Sequence, residues 1–254
     1  MTADLAVRLV IIGASGRMGR SLLRLLPQFP QLQLHAALVG PASLWQGRDS
    51  GELAGIARSG IALSTDLEAA LGGAGLVLDF SAAGEASRHL GLCAAARIPL
   101  LLGTTGLGPQ VQERLAEASA MIPVLVAANT SLGAAVLQQL VRQAAAALGS
   151  GFDIRIQDTH HRHKVDAPSG TALALGEAAA QAQSLPSPIG YASLRGGDVV
   201  GEHEVQFLGE GERLRLSHVA TDRAVFAAGA LRAGLWLIRQ PPGNYRMADI
   251  FKEK

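Results

Sequence analysis

Three of the seven histidines fall within four consecutive residues, at His160, His161 and His163, and Lys164 follows them directly. Imidazole groups titrate near neutral pH and can transfer protons, and the lysine supplies a fixed positive charge. The residues Pro-Ser-Gly-Thr at 168–171 are typical of a helix start, where backbone N–H groups and hydroxyls can bind a carboxylate. One short segment therefore combines proton donors, a fixed cation and an anion site.

Two other interpretations of these histidines stay open at this stage. Each could be an ordinary strand or surface residue, and strand alternation would place His161 and His163 on the face opposite to His160 unless the strand ends there. Zinc is the second alternative, because imidazole is a common zinc ligand. Against zinc, Cys93 is the only cysteine and no His-Glu-x-x-His motif occurs. We expect no metal.

The composition argues against several classes of protein. Of the 254 residues, 48% are hydrophobic and 17% are charged, and the formal net charge is +1. A nearly neutral chain without a Lys/Arg-rich run is not typical of nucleic-acid binding. No apolar stretch reaches the roughly 18–20 residues of a membrane span, and a single cysteine fits a reducing compartment. We expect a cytoplasmic protein that partners neither nucleic acid nor membrane.

A glycine turn near the N-terminus indicates a dinucleotide site. The apolar run 7–12 leads into Gly13-Ala14-Ser15-Gly16-Arg17-Met18-Gly19, and a helical pattern follows over 21–26. A strand, a glycine turn and a helix in this order can place a pyrophosphate on the helix N-terminus. The spacing is Gly-x-x-Gly-x-x-Gly rather than Gly-x-Gly-x-x-Gly, so a plain tight turn into a helix is the alternative.

The rest of the first half alternates strands with helices. Strands are predicted over 32–39, 76–81, 99–102 and 124–128, and helices over 84–96 and 109–120. This alternation is typical of an α/β fold with a doubly wound (Rossmann-type) parallel sheet, whose ligands bind beyond the carboxyl ends of the strands. The small polar residues at those ends either line a nicotinamide site or are simple turn residues: Gly103, Thr104, Thr105, Asn129 and Thr130.

The end of the second predicted strand bears on the choice of cofactor. Leu38-Val39-Gly40-Pro41 stands where a carboxylate usually binds the adenosine ribose. A 2′-phosphate is not repelled when that carboxylate is missing. No arginine stands directly at this position, but Arg17, Arg20 and Arg48 are within reach of it. The sequence is compatible with NADPH or NADH and slightly favours NADPH.

The pattern changes after a long predicted helix over 132–148. Strands over 153–161, 191–195, 202–208 and 213–219 indicate an α+β domain with an open mixed or antiparallel sheet, and 181–188 is predicted as a loop. One face of that sheet would need covering, most simply by another subunit. A helix over 224–239 should return to the first domain. Residues 1–130 with 225–254 would then bind the dinucleotide, and residues 131–224 would bind substrate and mediate oligomerisation.

Several motifs together carry a resemblance to a known family. They are the glycine turn, Gly51-Glu52-Leu53-Ala54-Gly55, Asp79-Phe80-Ser81, the run 160–172, and the run 195–203. Over almost its full length the chain resembles the 4-hydroxy-tetrahydrodipicolinate reductase (dihydrodipicolinate reductase) family. The resemblance implies an NADPH- or NADH-dependent oxidoreductase that acts on a small cyclic dicarboxylate in the diaminopimelate route of lysine biosynthesis.

The resemblance also implies a role for each matching residue. It makes His160 the proton donor and acceptor, Lys164 a second donor, and His161 a substrate contact, with a substrate carboxylate bound by Ser169, Gly170 and Thr171. The implied cofactor-binding residues are Gly13, Ala14, Ser15, Gly16, Arg17, Met18, Gly103, Thr104, Thr105, Ala127, Ala128, Asn129 and Thr130. Members of this family are usually homotetramers built through the sheets of their second domains.

The chain departs from the family pattern in two places. Many members have Glu-Arg where this chain has Val39-Gly40, and Thr or Ser with Pro where it has Ala82-Ala83-Gly84. Two other functions also stay open: another Rossmann-type amino-acid dehydrogenase, and a non-catalytic dinucleotide sensor. Neither function would need the proton donors of the 160–171 segment.

Overall fold

Residues 6–104, 107–183 and 188–252 are described by the computed structural model of the chain. The chain divides into two units, one formed by Met1–Thr130 with Phe226–Lys254 and the other by Ser131–Val225. Thr105 and the centre of the predicted 181–188 loop lie outside the described residues. Within the described ranges, no helix has both the length and the apolar character needed to cross a bilayer.

The first unit contains a seven-stranded sheet. Its strands are β1 (Val7–Ile12), β2 (Leu32–Leu38), β3 (Leu63–Ser64), β4 (Leu76–Asp79), β5 (Leu100–Leu102), β6 (Pro123–Val126) and β11 (Gly243–Tyr245). They are ordered β11-β6-β5-β4-β1-β2-β3, and every neighbouring pair is parallel. The predicted parallel sheet is therefore confirmed.

Helices cover this sheet because its strands are apolar on both faces. They are α1 (Arg17–Leu25), α2 (Ser50–Ala54), α3 (Leu67–Leu71), α4 (Ala86–Ala95), α5 (Pro109–Ser119) and α8 (Ala224–Leu237). One face packs Val10, Val77 and Leu100 against α3, α4 and α5. On α8, a Cβ at Gly234 would lie 2.6 Å from Leu76 Cδ2, so this glycine allows the helix to pack closely on its strand.

The register of the sheet brings the strand ends together. Ile12 pairs with Asp79, Asp79 pairs with Leu102, and Leu102 pairs with Val126. Because these strands are parallel, the turns that follow β1, β4, β5 and β6 lie at one edge of the sheet. The predicted cofactor residues of the described chain follow β1, β5 and β6, and therefore share this edge.

The second unit is a mixed sheet covered by two helices. Its elements are α6 (Leu132–Leu148), β7 (Asp153–His160), α7 (Gly170–Ala182), β8 (Ile189–Arg195), β9 (Gly201–Leu208) and β10 (Arg213–Ala220). The strand order is β10-β9-β7-β8, with β7 and β8 parallel and the other pairs antiparallel. Side chains of α6 and α7 pack on one face, around Ile154, Val205 and Phe207.

Burial alternates along β7 as the strand period requires. Ile154, Ile156, Asp158 and His160 are buried, and the residues between them are more exposed. The strand ends at His160, one residue earlier than predicted, and the alternation does not extend into 161–163. The face that the helices cover thus changes from apolar to polar at Asp158.

The close packing of α1 on the glycine turn gives a stability prediction. A Cβ at Gly19 would lie 2.3 Å from Gly13 O and 2.5 Å from Ala14 Cα, so Gly19→Ala must move backbone atoms. We expect a cost of about 1–3 kcal/mol, seen as a lower Tm in thermal unfolding followed by circular dichroism. Gly84→Ala is the matched control, because a Cβ there meets nothing within 4 Å. Equal Tm values for the two variants would contradict this account.

Candidate active site

A buried carboxylate, Asp158, organises the polar end of the second unit. The residue is 1% exposed. Its Oδ1 accepts hydrogen bonds from Ser193 Oγ at 2.6 Å and Ser169 N at 3.4 Å. Its Oδ2 accepts from His160 Nδ1 at 2.8 Å and Arg195 Nη1 at 2.7 Å. Both oxygens are therefore satisfied, as a buried charge requires.

Strand pairing explains how these residues meet. Asp158 of β7 pairs with Ser193 on β8 and with His203 on β9, and His160 pairs with Arg195. Asp158 and His160 are two residues apart on one strand, so their side chains lie on the same face. The polar groups thus form two neighbouring rows across the sheet, at the end where β7 finishes.

Asp158 is ionised at neutral pH. Burial alone would raise the pKa of this carboxyl, but hydrogen bonds from Ser193, Arg195, the Ser169 backbone and His160 outweigh burial and hold the pKa below its usual value. An ionised carboxylate only accepts hydrogen bonds, so Nδ1 of His160 must carry a hydrogen and donate it. The atom of His160 that takes up or releases a proton is therefore Nε2.

The surroundings of His160 keep its imidazole largely unprotonated. Burial lowers its pKa, and the positive charges of Lys164 and Arg195 act in the same direction, whereas Asp158 opposes them. A Cβ at Gly201 would lie only 3.2 Å from His160 Nε2, so glycine at this position leaves room beside this nitrogen. An anion that arrived near His160 would favour its protonated form.

A second buried histidine, His203, lies against the first. The two ring centroids are 5.1 Å apart with the rings at 75°, and His203 Nε2 is 3.1 Å from Ser169 Oγ. Burial, followed by the charge of His160, lowers the pKa of His203 to about 4. His203 is therefore neutral at pH 7. Its Nδ1 is buried and has no hydrogen-bond partner among the described residues.

The loop that joins β7 to α7 carries Lys164. Its Nζ lies 2.7 Å and 2.9 Å from the two carboxylate oxygens of Asp166, and this pair lowers the pKa of Asp166. Arg195 Nη2 donates to the carbonyl oxygen of Asp166 at 2.7 Å. The loop histidines His161 and His163 have ring centroids 6.3 Å apart. Two cations, Lys164 and Arg195, are thus fixed near His160.

The start of α7 lies on the other side of the carboxylate. Ser169 is its N-cap: the residue is 2% exposed, and its hydroxyl accepts from Ala172 N at 3.2 Å. Gly170 is exposed and Thr171 half-buried. The Ser169 hydroxyl thus has partners inside the protein, and its predicted contact with a substrate carboxylate stays a prediction, as do those of Gly170 and Thr171.

The predicted cofactor residues lie in the first unit. Gly13 has φ +81°, and a Cβ there would lie 2.6 Å from Phe80 O, so only glycine fits this turn. Gly13 N and Ala14 N both donate to Leu38 O, at 3.0 Å and 2.8 Å. The helix α1 then begins at Arg17 after Gly16, with no side chain capping its N-terminus. An open glycine turn before an uncapped helix fits a pyrophosphate.

The turns after β4, β5 and β6 complete this edge. Thr104 Oγ1 donates to Ser81 O at 3.1 Å, and Ser81 Oγ is buried without a partner among the described residues. Thr130 Oγ1 donates to Phe226 O at 2.6 Å. Asn129 is half-buried and Ala128 is exposed. Polar groups that are not satisfied internally, such as the Ser81 hydroxyl, are consistent with a ligand at this edge.

Sequence reasoning missed part of the array around His160. It did not single out Asp158, Ser193, Arg195 or His203 as site residues, although 195–203 was noted as a motif. The spacing of two residues between Asp158 and His160 was an available signal, because such residues share a strand face. The other three required the pairing of β7 with β8 and β9.

Within the described ranges, no group of three His, Cys, Asp or Glu residues could hold a metal ion.

The buried His203 makes stability depend on pH. Its pKa is about 4 in the fold and 6.5 as a reference, so unfolded chains bind more protons between these values. Stability is therefore complete above pH 6.5 and falls as the pH drops towards 4, by about 3 kcal/mol in total. We expect His203→Gln to lower Tm at pH 7 but to lose less Tm between pH 6.5 and 4.5 than the wild type.

The control for this measurement is His163→Gln, because His163 is exposed. That variant should follow the wild-type curve of Tm against pH. A His203→Gln curve parallel to the wild type would show that His203 does not carry this dependence.

Family models match nearly the whole chain. The model described as dihydrodipicolinate reductase, N-terminus, matches residues 7–130, and the one described as its C-terminus matches residues 133–251. A 4-hydroxy-tetrahydrodipicolinate reductase from Anaeromyxobacter dehalogenans (strain 2CP-1) is 45% identical over 261 residues, 96% of this chain and 97% of its own. A second protein of that name, from Agrobacterium fabrum (strain C58), is 45% identical over 264 residues, which cover 96% of each chain.

A solved structure has the same fold. It is a dipicolinate-bound dihydrodipicolinate reductase from Paenisporosarcina sp. TG-14, with a TM-score of 0.79 and 22% identity over 95% of this chain and 98% of that one. This likeness confirms the predicted combination of a Rossmann-type domain with an α+β domain. The family models and the relatives agree over almost the whole length, and the chain belongs to the dihydrodipicolinate reductase family.

Proposed function

We propose that this chain catalyses the NAD(P)H-dependent reduction of 4-hydroxy-tetrahydrodipicolinate to tetrahydrodipicolinate in the diaminopimelate route of lysine biosynthesis. The net reaction takes up one hydride and one proton and releases one water. The cofactor, when bound, supplies the hydride. The protein supplies the proton, and the observation that carries this proposal is His160, held through Nδ1 by an ionised carboxylate with Nε2 left for proton exchange.

In this proposal His160 is the general acid. Asp158 fixes the ring orientation and stabilises the imidazolium form, because its carboxylate accepts from Nδ1 at 2.8 Å. A dicarboxylate substrate brings two negative charges towards a site whose nearby cations lower the pKa of His160. When the substrate binds, its negative charges offset those cations, so His160 gains a proton in the complex. His160 then donates this proton to the substrate. This would couple substrate binding to protonation of the acid.

Lys164 has two roles in the proposal: it pairs with a substrate carboxylate and is a second proton donor. Its ammonium pairs with Asp166, and a substrate carboxylate would replace that partner. The second carboxylate would bind at the N-terminus of α7, at Ser169, Gly170 and Thr171, where the helix dipole favours negative charge. His161 would contact the substrate from the same loop.

The cofactor would be held at the strand ends of the first unit. The glycine turn and the start of α1, from Gly13 to Met18, would bind the pyrophosphate. The remaining contacts are proposed from the turns after β5 and β6: Gly103, Thr104, Thr105, Ala127, Ala128, Asn129 and Thr130. Thr105 belongs to this set by sequence alone, because it lies outside the described residues.

Assembly and location are also part of the proposal. The face of the second sheet opposite α6 and α7 carries exposed apolar side chains, including Leu194 (52% exposed) and Val219 (55% exposed). Pairing of such faces would bury them, and we propose a homotetramer formed in this way and located in the cytoplasm. Analytical ultracentrifugation that found only monomer at micromolar concentration would contradict the tetramer.

The direct test is the loss of reduced-nicotinamide absorbance. Substrate would be generated in situ by the preceding synthase from pyruvate and aspartate semialdehyde, with NADH and NADPH run in parallel. We expect turnover with at least one cofactor. Folded chain that binds a cofactor but turns over nothing would instead support a sensor or an enzyme with another substrate.

Variants of the proton donors test the roles. We expect His160→Gln and Lys164→Ala each to lower kcat by roughly 10²–10⁴-fold with cofactor binding intact, because each removes a proposed proton donor. His163→Gln is the matched control and should stay within about twofold, since loss of an exposed histidine removes no such group. Near-normal turnover in both donor variants would show that the roles are wrongly assigned.

Asp158 acts through His160 and needs a readout of its own. Asp158→Asn keeps the side-chain shape but removes the charge that supports the imidazolium. We expect kcat to fall roughly 10²-fold or more with little change in KM. The fall of kcat at alkaline pH should also move to lower pH, because the pKa of His160 drops without the carboxylate. An unchanged pH profile with lower kcat would indicate a purely structural role.

A further inference from the structure

No acidic side chain follows the carboxyl end of β2, and there is open space beside the chain at that point. β2 ends at Leu38, and Val39, Gly40 and Pro41 follow it. A Cβ at Gly40 would meet no atom within 4 Å. In dinucleotide-binding folds an acidic residue here binds the ribose 2′-hydroxyl, whereas a nearby arginine accommodates a 2′-phosphate. Any selection between the two cofactors must therefore come from neighbouring side chains.

Three side chains form what we call the Trp45 cluster: Arg20, Trp45 and Arg48. The guanidinium carbon of Arg48 lies 4.3 Å from the centroid of the Trp45 ring, and that of Arg20 lies 5.2 Å from it. Both distances are within the range of cation–π attraction. One aromatic ring thus holds two planar cations in a single place.

Hydrogen bonds tie this cluster to both parts of the dinucleotide site. Arg20 Nε donates to Ser15 O of the glycine turn at 3.1 Å. On the other side, Ser43 N donates to Gly40 O at 2.9 Å, and Trp45 N donates to Ser43 Oγ at 3.3 Å. The cluster therefore lies between the glycine turn and the residues that follow β2, which is where the adenosine ribose of a bound dinucleotide is expected.

Arg48 is anchored by its backbone, while its charge is only partly balanced. Its carbonyl accepts from Leu63 N at 2.8 Å, and Leu63 pairs with Ala37 in the neighbouring strand β2. Its nearest carboxylate, Glu52, is 4.0 Å away and is shared with Arg58 at 3.3 Å. In the part of the chain that the structure describes, Arg20 forms no ion pair. The cluster thus retains positive charge that an anion could neutralise.

We propose that the Trp45 cluster binds the 2′-phosphate of NADPH and makes this chain prefer NADPH to NADH. The inference rests on the proposed function, since it assigns the cofactor of that reaction. Arg48 binds the phosphate, Arg20 links it to the glycine turn, and Trp45 holds both guanidinium groups in position. Guanidinium groups suit this task because their donors match phosphate oxygens in pairs.

The test is binding, measured by calorimetry on the full chain without substrate. The probes are NADPH, NADH and adenosine 2′,5′-bisphosphate. We expect Arg48→Gln to weaken NADPH and the bisphosphate about tenfold or more and to leave NADH unchanged, because only the first two carry the phosphate. Arg58→Gln is the matched control. Arg58 also pairs with Glu52 but is not one of the two arginines over the Trp45 ring, so this variant should bind all three probes like the wild type.

A reciprocal variant adds the missing carboxylate. In Gly40→Asp the added Cβ meets no atom within 4 Å, and we expect about tenfold weaker NADPH binding with NADH binding kept or improved. If Arg48→Gln changed the binding of NADPH and NADH equally, or changed neither, this inference would be overturned. The proposed reductase function would not be affected by that result. Wild-type chain that bound neither cofactor would overturn the proposed function as well.

Discussion

The second unit depends on one buried negative charge. Asp158 is almost completely enclosed, and its ionised carboxylate is stable there only because Ser193, Arg195, the Ser169 backbone and His160 all donate to it. Removing the guanidinium of Arg195 would leave this buried charge without its ion-pair partner, which costs about 3–5 kcal/mol. The carboxylate therefore fixes the ring of His160, the guanidinium of Arg195 and the start of α7 relative to one another. The sheet register supplies three of these donors, and the helix start supplies the fourth.

The same charge determines how neighbouring groups titrate. Because Asp158 is ionised, His160 donates through Nδ1 and exchanges protons at Nε2. His203 lies 5.1 Å from His160 between ring centroids, and its low pKa keeps it neutral, so the pair carries at most one positive charge at pH 7. The positive charges of Lys164 and Arg195 also lower the pKa of His160. Under the proposed function, a dianionic substrate would offset these positive charges and favour the protonated form of His160.

Much of the fold was predictable from the sequence, because long periodic segments determine it. The helix over Leu132–Leu148 and the strand over Val7–Ile12 have the predicted bounds. Sequence patterns did not predict β3, β11, α2 or α3, because segments of two to five residues are too short to show a period. The family was also predictable, since the 160–172 run is so specific. The residues around Asp158 were not predictable, except for the two-residue spacing between Asp158 and His160. Arg195 and His203 reach the site only through strand pairing.

The most direct measurement determines the tautomer and the pKa of His160 by NMR on ¹⁵N-labelled protein. The spectra are recorded across pH, with and without pyridine-2,6-dicarboxylate. The account predicts a neutral ring with its hydrogen on Nδ1 and a pKa below the reference value of 6.5, which rises when the dicarboxylate binds. Nδ1 should remain protonated throughout, because Asp158 accepts from it. A neutral ring with its hydrogen on Nε2, or a pKa that the bound dicarboxylate leaves unchanged, would contradict the central claim that Asp158 prepares His160 to donate a proton.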